Sequence, residues 1–238
     1  DNPMIPVYNN MLKGLDGNPS AAWANRTKDW WQWDYLYQGF IDYTGADMDF
    51  YGVHMYDWPD ATNPTYRSGG HTEAMLDMLE WYDNLKFGKK KDIVMSEFGA
   101  VSGYAATLPA KRRDWEFLKS FNQMFMQFLQ RPSHVVLTMP FAPVRAEWGA
   151  YPTGNNYTAG TPMVRYDGAT LMDPVGTWTY PNQPSGGWEW SDIIYFFQLW
   201  RDVDGTRIDT KSNNNDVQVD AYVKDNKVFL ILNNCESD

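Results

Sequence analysis

A carboxylate stands at a position where α/β proteins commonly carry out chemistry. Glu97 ends the apolar run of residues 93–96 and is followed by Phe98 and Gly99. An apolar run of this length, bounded by turn residues, predicts a buried parallel strand. A Glu at the end of such a strand lies at the mouth of a sheet or barrel, where α/β enzymes place their reacting groups. The alternative interpretation is a salt-bridged residue at the end of a sheet, with no chemical role.

A second apolar run, residues 49–58, is stopped by Pro59 and also predicts a strand. His54 and Tyr56 are two residues apart, so their side chains leave the same face of this strand. A lone His is usually a satisfied core residue, but a His-x-Tyr pair at the end of a buried strand indicates a polar site. Glycoside hydrolysis needs two carboxyl groups that flank the scissile bond, and Glu97 can supply one of them.

Composition excludes several other classes of function. The net charge of −10 argues against nucleic acid or an anionic membrane as a partner. The single cysteine, Cys235, excludes an internal disulfide framework and a Cys-based zinc site, and the three His residues are too scattered for a zinc motif. There is no Walker loop, no dinucleotide fingerprint and no Gly-x-Ser-x-Gly elbow. We therefore predict no cofactor and no metal.

The ends of the chain and its hydropathy bear on localisation. No apolar run approaches the roughly 18 residues of a membrane span. The sequence starts at Asp1 without a signal peptide, so we expect that its true start is missing.

Aromatic residues make up 16% of the chain, with 12 Trp and 15 Tyr. They form either a Trp-rich core or the lining of a carbohydrate cleft, because the apolar faces of sugars stack on flat rings. Trp in polar loops rich in Gly and Pro favours the cleft. The candidates for sugar stacking are Trp58, Trp148, Trp188 and Trp190.

The elements that must position these residues alternate between strands and helices. Helices are predicted over residues 34–43, 72–87, 110–130 and 191–200, the last capped by Ser191, and a third buried strand over residues 134–141. The order strand, helix, strand, helix, strand predicts a parallel sheet or barrel. An aromatic stripe on the third helix is predicted to be core; its members are Trp115, Leu118, Phe121, Phe125 and Phe128.

The remaining segments have a different character. Residues 142–188 are loop-like and long enough to be functional. Residues 217–223 alternate at period two, residues 225–226 can turn, and residues 228–232 run back, which predicts a β-hairpin of a separate all-β module.

Residues 52–56 and 93–99 resemble strands six and seven of the clan of retaining (β/α)8 glycosidases. Residues 51–57, the Trp-rich loop before the last helix, and residues 201–207 most resemble glycoside hydrolase family 86, the β-agarases and β-porphyranases. That family is endo-acting, cuts red-algal galactans, and places β-sandwich modules after the barrel. The resemblance implies that Glu97 is the nucleophile, and that His54 and Tyr56 orient it or bind sugar hydroxyls.

The resemblance also implies the domain organisation. Residues 1–205 would be the C-terminal part of a (β/α)8 TIM barrel, and residues 206–238 the first strands of a β-sandwich module. In the clan, the acid/base Glu lies on strand four after an Asn, and no Glu of this chain follows an Asn. The acid/base is therefore expected outside the chain. If it lay within the chain, Glu147 would be the first candidate. The remainder of the barrel becomes an expected partner, because a few barrel strands alone leave sheet edges and an apolar interior exposed.

These considerations lead to an expected function. We expect a retaining endo-glycoside hydrolase of a red-algal galactan, agarose or porphyran, that is secreted, periplasmic or at the cell surface of a bacterium. Two alternatives stay open: a (β/α)8 hydrolase of another β-glycan, such as a cellulase or mannanase, and a non-catalytic carbohydrate-binding protein.

Overall fold

The computed structural model describes residues 32–57, 69–100, 110–142, 144–145, 150–151, 164–165, 171–175 and 182–235. Its helical elements are a π-helical segment (Gln32–Tyr37), α1 (Gln38–Thr44), a 3-10 turn (Gly45–Asp47), α2 (Gly70–Phe87), α3 (Ala110–Leu129) and α4 (Ile194–Arg201). Its strands are β1 (Phe50–Asp57), β2 (Asp92–Ala100), β3 (Val135–Pro140), β4 (Ala150–Tyr151), β5 (Val164–Arg165), β6 (Met172–Pro174), β7 (Trp188–Trp190), β8 (Thr206–Ile208), β9 (Val217–Lys224) and β10 (Lys227–Asn234). The predicted mixed α/β class is confirmed.

The chain divides into two compact units, and the first comprises the described parts of Asp1–Tyr51 with Met75–Asp92. Its interior is organised around the buried carboxylate of Asp83. The Tyr51 hydroxyl donates to Asp83 Oδ1 at 2.7 Å, and the Lys91 backbone N–H donates to Asp83 Oδ2 at 3.0 Å. The Lys91 ammonium donates to the carbonyl of Gly45, so this buried cation closes the turn that follows α1.

The second unit comprises the described parts of Gly52–Ala74 with Ile93–Asp238, and a three-stranded sheet holds its candidate site. β2 lies between β1 and β3, and β2 and β3 are parallel. The connection from β2 to β3 is α3, as the strand–helix–strand order predicted. A cluster of rings surrounds Phe98, which is fully buried. Phe121, Phe125 and Phe128 of α3 and Phe196 of α4 contact it at centroid distances of 5.2–6.4 Å.

One member of the predicted core stripe does not belong to it. Trp115 is 55% exposed, so its assignment to the core was wrong. At this end of α3 the buried positions are taken by Arg113 and Asp114, each 2% exposed. Arg113 Nη2 lies 2.8 Å from Asp114 Oδ1 and 2.8 Å from Asp173 Oδ2. The helix therefore turns its charged side inward here, and Trp115 lies on the outer face.

The segment predicted as a loop, residues 142–188, contains short strands. β6 and β7 pair antiparallel, with Met172 opposite Trp190 and Pro174 opposite Trp188. β4 and β5 form a second two-stranded sheet. The sequence shows no alternation long enough to signal strands of two or three residues. Ser191 does not cap the last helix as predicted, because α4 begins at Ile194 and has no side-chain cap.

The predicted hairpin is confirmed. β9 pairs antiparallel with β10 from Lys224–Lys227 onward, and Asp225 takes a φ of 52° in the turn. β8 adds a third strand, in the order β10-β9-β8, that the sequence did not indicate. The β10 side chains on one face are 61–66% exposed; they are Val228, Leu230 and Leu232.

Candidate active site

β1 presents two polar side chains on the open face of the three-stranded sheet. Val53, Met55 and Asp57 are buried, whereas the alternate residues His54 and Tyr56 are exposed and half-buried. Period-two alternation thus places His54 and Tyr56 together, as predicted from their spacing. The buried Asp57 accepts a hydrogen bond from the Ser120 hydroxyl at 2.8 Å, which ties the end of this strand to α3.

Glu97 reaches the same face through an irregularity in β2. Met95 pairs with Thr138 and Phe98 with Pro140, so three steps along β2 match two along β3. An extra residue in one strand is a β-bulge, and it shifts the alternation of side chains beyond it. Met95 and Phe98 are consequently both fully buried. In a regular strand Glu97 would share the buried face of Met95, and the bulge instead directs its carboxylate outward.

The three predicted residues come together around one carboxylate oxygen. The Tyr56 hydroxyl donates to Glu97 Oε2 at 2.6 Å, and His54 Nδ1 lies 3.1 Å from the same oxygen. The Glu97 side chain is 33% exposed and that of His54 is 55% exposed. A carboxylate fixed by two neighbours and open to solvent on one side is suited to contact a bound molecule. Contrary to the sequence-based expectation, β2 does not stop at Glu97 but continues to Ala100.

A further aromatic residue, which the sequence did not single out, completes this site. The Phe141 backbone N–H donates to the Phe98 carbonyl at 2.8 Å, and the Phe141 ring meets the Tyr56 ring edge-on, with centroids 6.0 Å apart. Its position at the end of the third predicted strand was visible in the sequence, but its contact with Tyr56 depends on the strand order.

Two predicted stacking residues lie on the β6–β7 ribbon, a separate sheet from the one that holds Glu97. Trp188 and Trp190 are two apart on β7 and leave the same face. Trp190 is 59% exposed, whereas Trp188 carries the guanidinium of Arg145 over its ring at 5.1 Å and donates to Gln183 Oε1 at 2.9 Å. Trp58, Trp148 and Glu147 lie outside the described residues.

Over the described ranges, no group of three or more His, Cys, Asp or Glu side chains could hold a metal ion. In the same part of the chain, no helix is both long and apolar enough to cross a membrane.

Comparison with known proteins identifies similar sequences. No protein-family model matches the chain. It is 46% identical over 219 residues to the beta-agarase AgaO of Microbulbifer thermotolerans, covering 89% of this chain and 18% of that protein. It is 38% identical to a funoran endo-beta-hydrolase of Wenyingzhuangia aestuarii, over 98% of this chain and 30% of that protein. A beta-porphyranase A of Phocaeicola plebeius is 32% identical, over 99% of this chain and 33% of that protein.

Solved structures give a consistent result. BuGH86, crystallised with neoagarooctaose, matches with a TM-score of 0.72 and 36% identity, over 85% of this chain and 31% of that one. BpGH86A, a beta-porphyranase of glycoside hydrolase family 86 from Bacteroides plebeius, matches with a TM-score of 0.67 and 31% identity, over 85% and 33% of the two chains. The chain thus spans about a third or less of these relatives, which are glycoside hydrolases. The resemblance inferred from the sequence is confirmed.

Proposed function

We propose that this chain, whose sequence and fold resemble part of glycoside hydrolase family 86, supplies the nucleophile of a retaining endo-glycosidase that cleaves β-linkages in a red-algal galactan. The observation that carries the proposal is the convergence of Tyr56 and His54 on one oxygen of Glu97. Retaining glycosidases attack the anomeric carbon with a carboxylate and form a covalent glycosyl-enzyme. Both neighbours bind Oε2 and thereby fix the direction of the carboxylate.

The second carboxyl group of the mechanism would come from elsewhere. In a retaining enzyme, a general acid about 5–5.5 Å from the nucleophile protonates the leaving oxygen and then activates water. We assign this role to a Glu outside this chain, on the remainder of the barrel, supplied by preceding sequence or a second chain. Glu147 is the alternative within the chain. The cut yields a new reducing end at the bond that Glu97 attacked.

We further propose that residues 1–205 form the C-terminal part of a (β/α)8 barrel and residues 206–238 the start of a β-sandwich module. The parallel pairing of β2 with β3 around α3 supports a barrel. So does the exposure of apolar side chains on one face of β3; Leu137 and Met139 are 47% and 43% exposed. Side chains in a barrel interior pack against the other strands, and here those strands would belong to the remainder of the barrel, outside this chain.

The substrate would be held by aromatic side chains. Trp190 offers an exposed ring for stacking on a sugar, and Trp188, Trp58 and Trp148 are the further candidates. The galactan assignment derives from the relatives, which are named for agarose, funoran and porphyran. Such substrates are polymers outside the cell, so we propose that the bacterial enzyme is secreted, periplasmic or bound to the cell surface.

The test is to replace Glu97 with Gln in the complete enzyme, which keeps the shape of the side chain but removes its ability to attack. We expect less than about 1% of wild-type kcat on agarose and porphyran oligosaccharides, with glycan binding retained, since loss of a nucleophile removes the covalent route. Glu189, exposed on β7, provides the matched control, and Glu189→Gln should keep wild-type kcat. Equal activity of the Glu97 variant and wild type would overturn the assignment. Glycan binding without hydrolysis by the wild type would favour the non-catalytic alternative.

A further inference from the structure

Four residues of the site form a closed ring of contacts. Glu97 is bonded covalently to Phe98, whose carbonyl accepts the Phe141 backbone N–H at 2.8 Å. The Phe141 ring packs edge-on against Tyr56 at 6.0 Å and an interplanar angle of 75°. The Tyr56 hydroxyl closes the ring by donating to Glu97 Oε2 at 2.6 Å.

Phe98 anchors this ring of contacts in the core. The Phe98 side chain is fully buried, and four phenylalanine rings surround it. The bulge before Phe98 sets the direction of Glu97, and the Phe98 carbonyl sets the position of Phe141. The same buried residue, Phe98, therefore positions both the Glu97 carboxylate and the Phe141 ring that contacts Tyr56.

Tyr56, by contrast, reaches Glu97 from a different strand and through a long side chain. Its hydroxyl lies at the end of a rigid ring, so a rotation about the Cα–Cβ bond leaves Cβ in place and moves the hydroxyl oxygen farther than any other heavy atom of the side chain. An edge-to-face contact is a preferred geometry for two aromatic rings and restricts that rotation. A leucine at position 141 would fill part of the space without an aromatic face or edge.

We propose that Phe141 is a positioning residue that holds the phenol of Tyr56 on Oε2 of Glu97. Phe141 itself need not touch the reacting atoms, because it acts through Tyr56. This inference rests on the proposed function of Glu97 as nucleophile. It predicts that loss of the ring at position 141 lowers kcat only in an enzyme that retains the Tyr56 hydroxyl.

The test is a double-mutant cycle in the complete enzyme with Phe141→Leu, Tyr56→Phe and the combined variant. Phe141→Leu should lower kcat roughly tenfold, since small misplacements in an active site have large effects, and should change KM less than about twofold. In the Tyr56→Phe background the same change should lower kcat by less than about twofold, because coupled residues are not additive. Phe141→Tyr, which retains the ring, should keep kcat within about threefold of wild type.

Two controls separate positioning from general damage to the fold. Phe50→Leu makes the same change at a 50% exposed position on β1, and should leave kcat and KM at wild-type values. If Phe141→Leu lowers the unfolding temperature, the Phe141→Tyr variant provides the second test. Its crystal structure should show the Tyr56 hydroxyl within hydrogen-bond distance of Glu97 Oε2. A displaced Tyr56 hydroxyl in a variant with wild-type kcat would overturn the proposal.

Further outcomes against the proposal are distinct from failure of the proposed function. A loss from Phe141→Leu that is fully additive with Tyr56→Phe, or that appears only in KM, would mean that Phe141 contacts the sugar or serves only the fold. Either result is compatible with an inactive Glu97→Gln enzyme. An active Glu97→Gln enzyme would instead remove the premise itself.

Discussion

Removal of the Tyr56 hydroxyl is the sharpest perturbation of the candidate site, because Tyr56→Phe deletes one atom and preserves the ring contact. The hydroxyl lies 2.6 Å from Glu97 Oε2, a length typical of charge-assisted hydrogen bonds. Such a bond contributes about 1.5–3 kcal/mol. At about 1.4 kcal/mol per factor of ten in rate, its complete loss from the transition state would slow turnover roughly 10- to 150-fold.

Two features of the site reduce that figure. His54 Nδ1 remains 3.1 Å from the same oxygen, and the carboxylate is 33% exposed, so water replaces part of the lost bond. Removal of the hydrogen bond lowers kcat only to the extent that the bond is stronger in the transition state than in the ground state. We therefore expect kcat to fall about 5- to 50-fold, less than the roughly 10²–10³ that loss of an oxyanion-hole donor costs, with little change in KM.

The assay is the release of reducing ends from galactan oligosaccharides, measured over a range of concentrations to separate kcat from KM. Tyr195→Phe is the matched control, because this tyrosine is 56% exposed on α4. It should have wild-type kcat, and both variants should unfold at the wild-type temperature. A Tyr56→Phe enzyme with kcat within threefold of wild type, or a Tyr195→Phe enzyme with the same loss, would refute the reasoning.

Three other predictions concern stability. Arg113→Met should destabilise the complete enzyme by about 3–5 kcal/mol, because it removes the guanidinium that neutralises the buried carboxylates of Asp114 and Asp173. Arg112→Met, at a 61% exposed side chain, should cost at most about 1 kcal/mol, and denaturant unfolding distinguishes the two. Gly99→Ala should cost about 1–3 kcal/mol, since its Cβ would lie 3.1 Å from the buried ring of Phe121, whereas Gly52→Ala, with its nearest neighbour at 3.6 Å, should be nearly neutral in the same assay. Burial, and then the hydrogen bond to Asp220, raises the pKa of Tyr222. Because the folded pKa of Tyr222 lies above the unfolded value of about 10, this stabilisation is complete below pH 10 and is lost as the pH rises further. Tyr222→Phe should reduce the alkaline loss of stability in unfolding curves, to which Tyr51 also contributes because burial raises its pKa. An alkaline loss equal to that of wild type would refute this prediction.

Local sequence signals predicted much of the fold. Gly88, with a φ of 70°, ends α2 where the sequence placed its end, and Asp225 turns the hairpin between β9 and β10. These positions require backbone conformations that few residue types adopt, so the residue type at each position identifies the turn. Similarly, the two-residue spacing of His54 and Tyr56 determines their shared face.

Long-range packing determined what the sequence did not reveal. The helical stripe that includes Trp115 continues past the ring cluster, yet α3 buries Arg113 there because Asp173 of a distant ribbon neutralises it. The outward direction of Glu97 depends on a bulge that is defined by pairing with β3, and strict alternation would have buried it. Phe141 enters the site only because β3 is the neighbour of β2. Each of these features requires knowledge of residues far away in the chain.

The most direct measurement of the central claim is the location of the covalent intermediate. An activated 2-deoxy-2-fluoro galactoside forms the glycosyl-enzyme of a retaining enzyme but releases it slowly, so digestion and mass spectrometry can locate the sugar. We predict one added glycosyl group, on the peptide that contains Glu97, and no label in the Glu97→Gln enzyme. A label on a different carboxylate, or release of product with inverted anomeric configuration from the unlabelled enzyme, would contradict it.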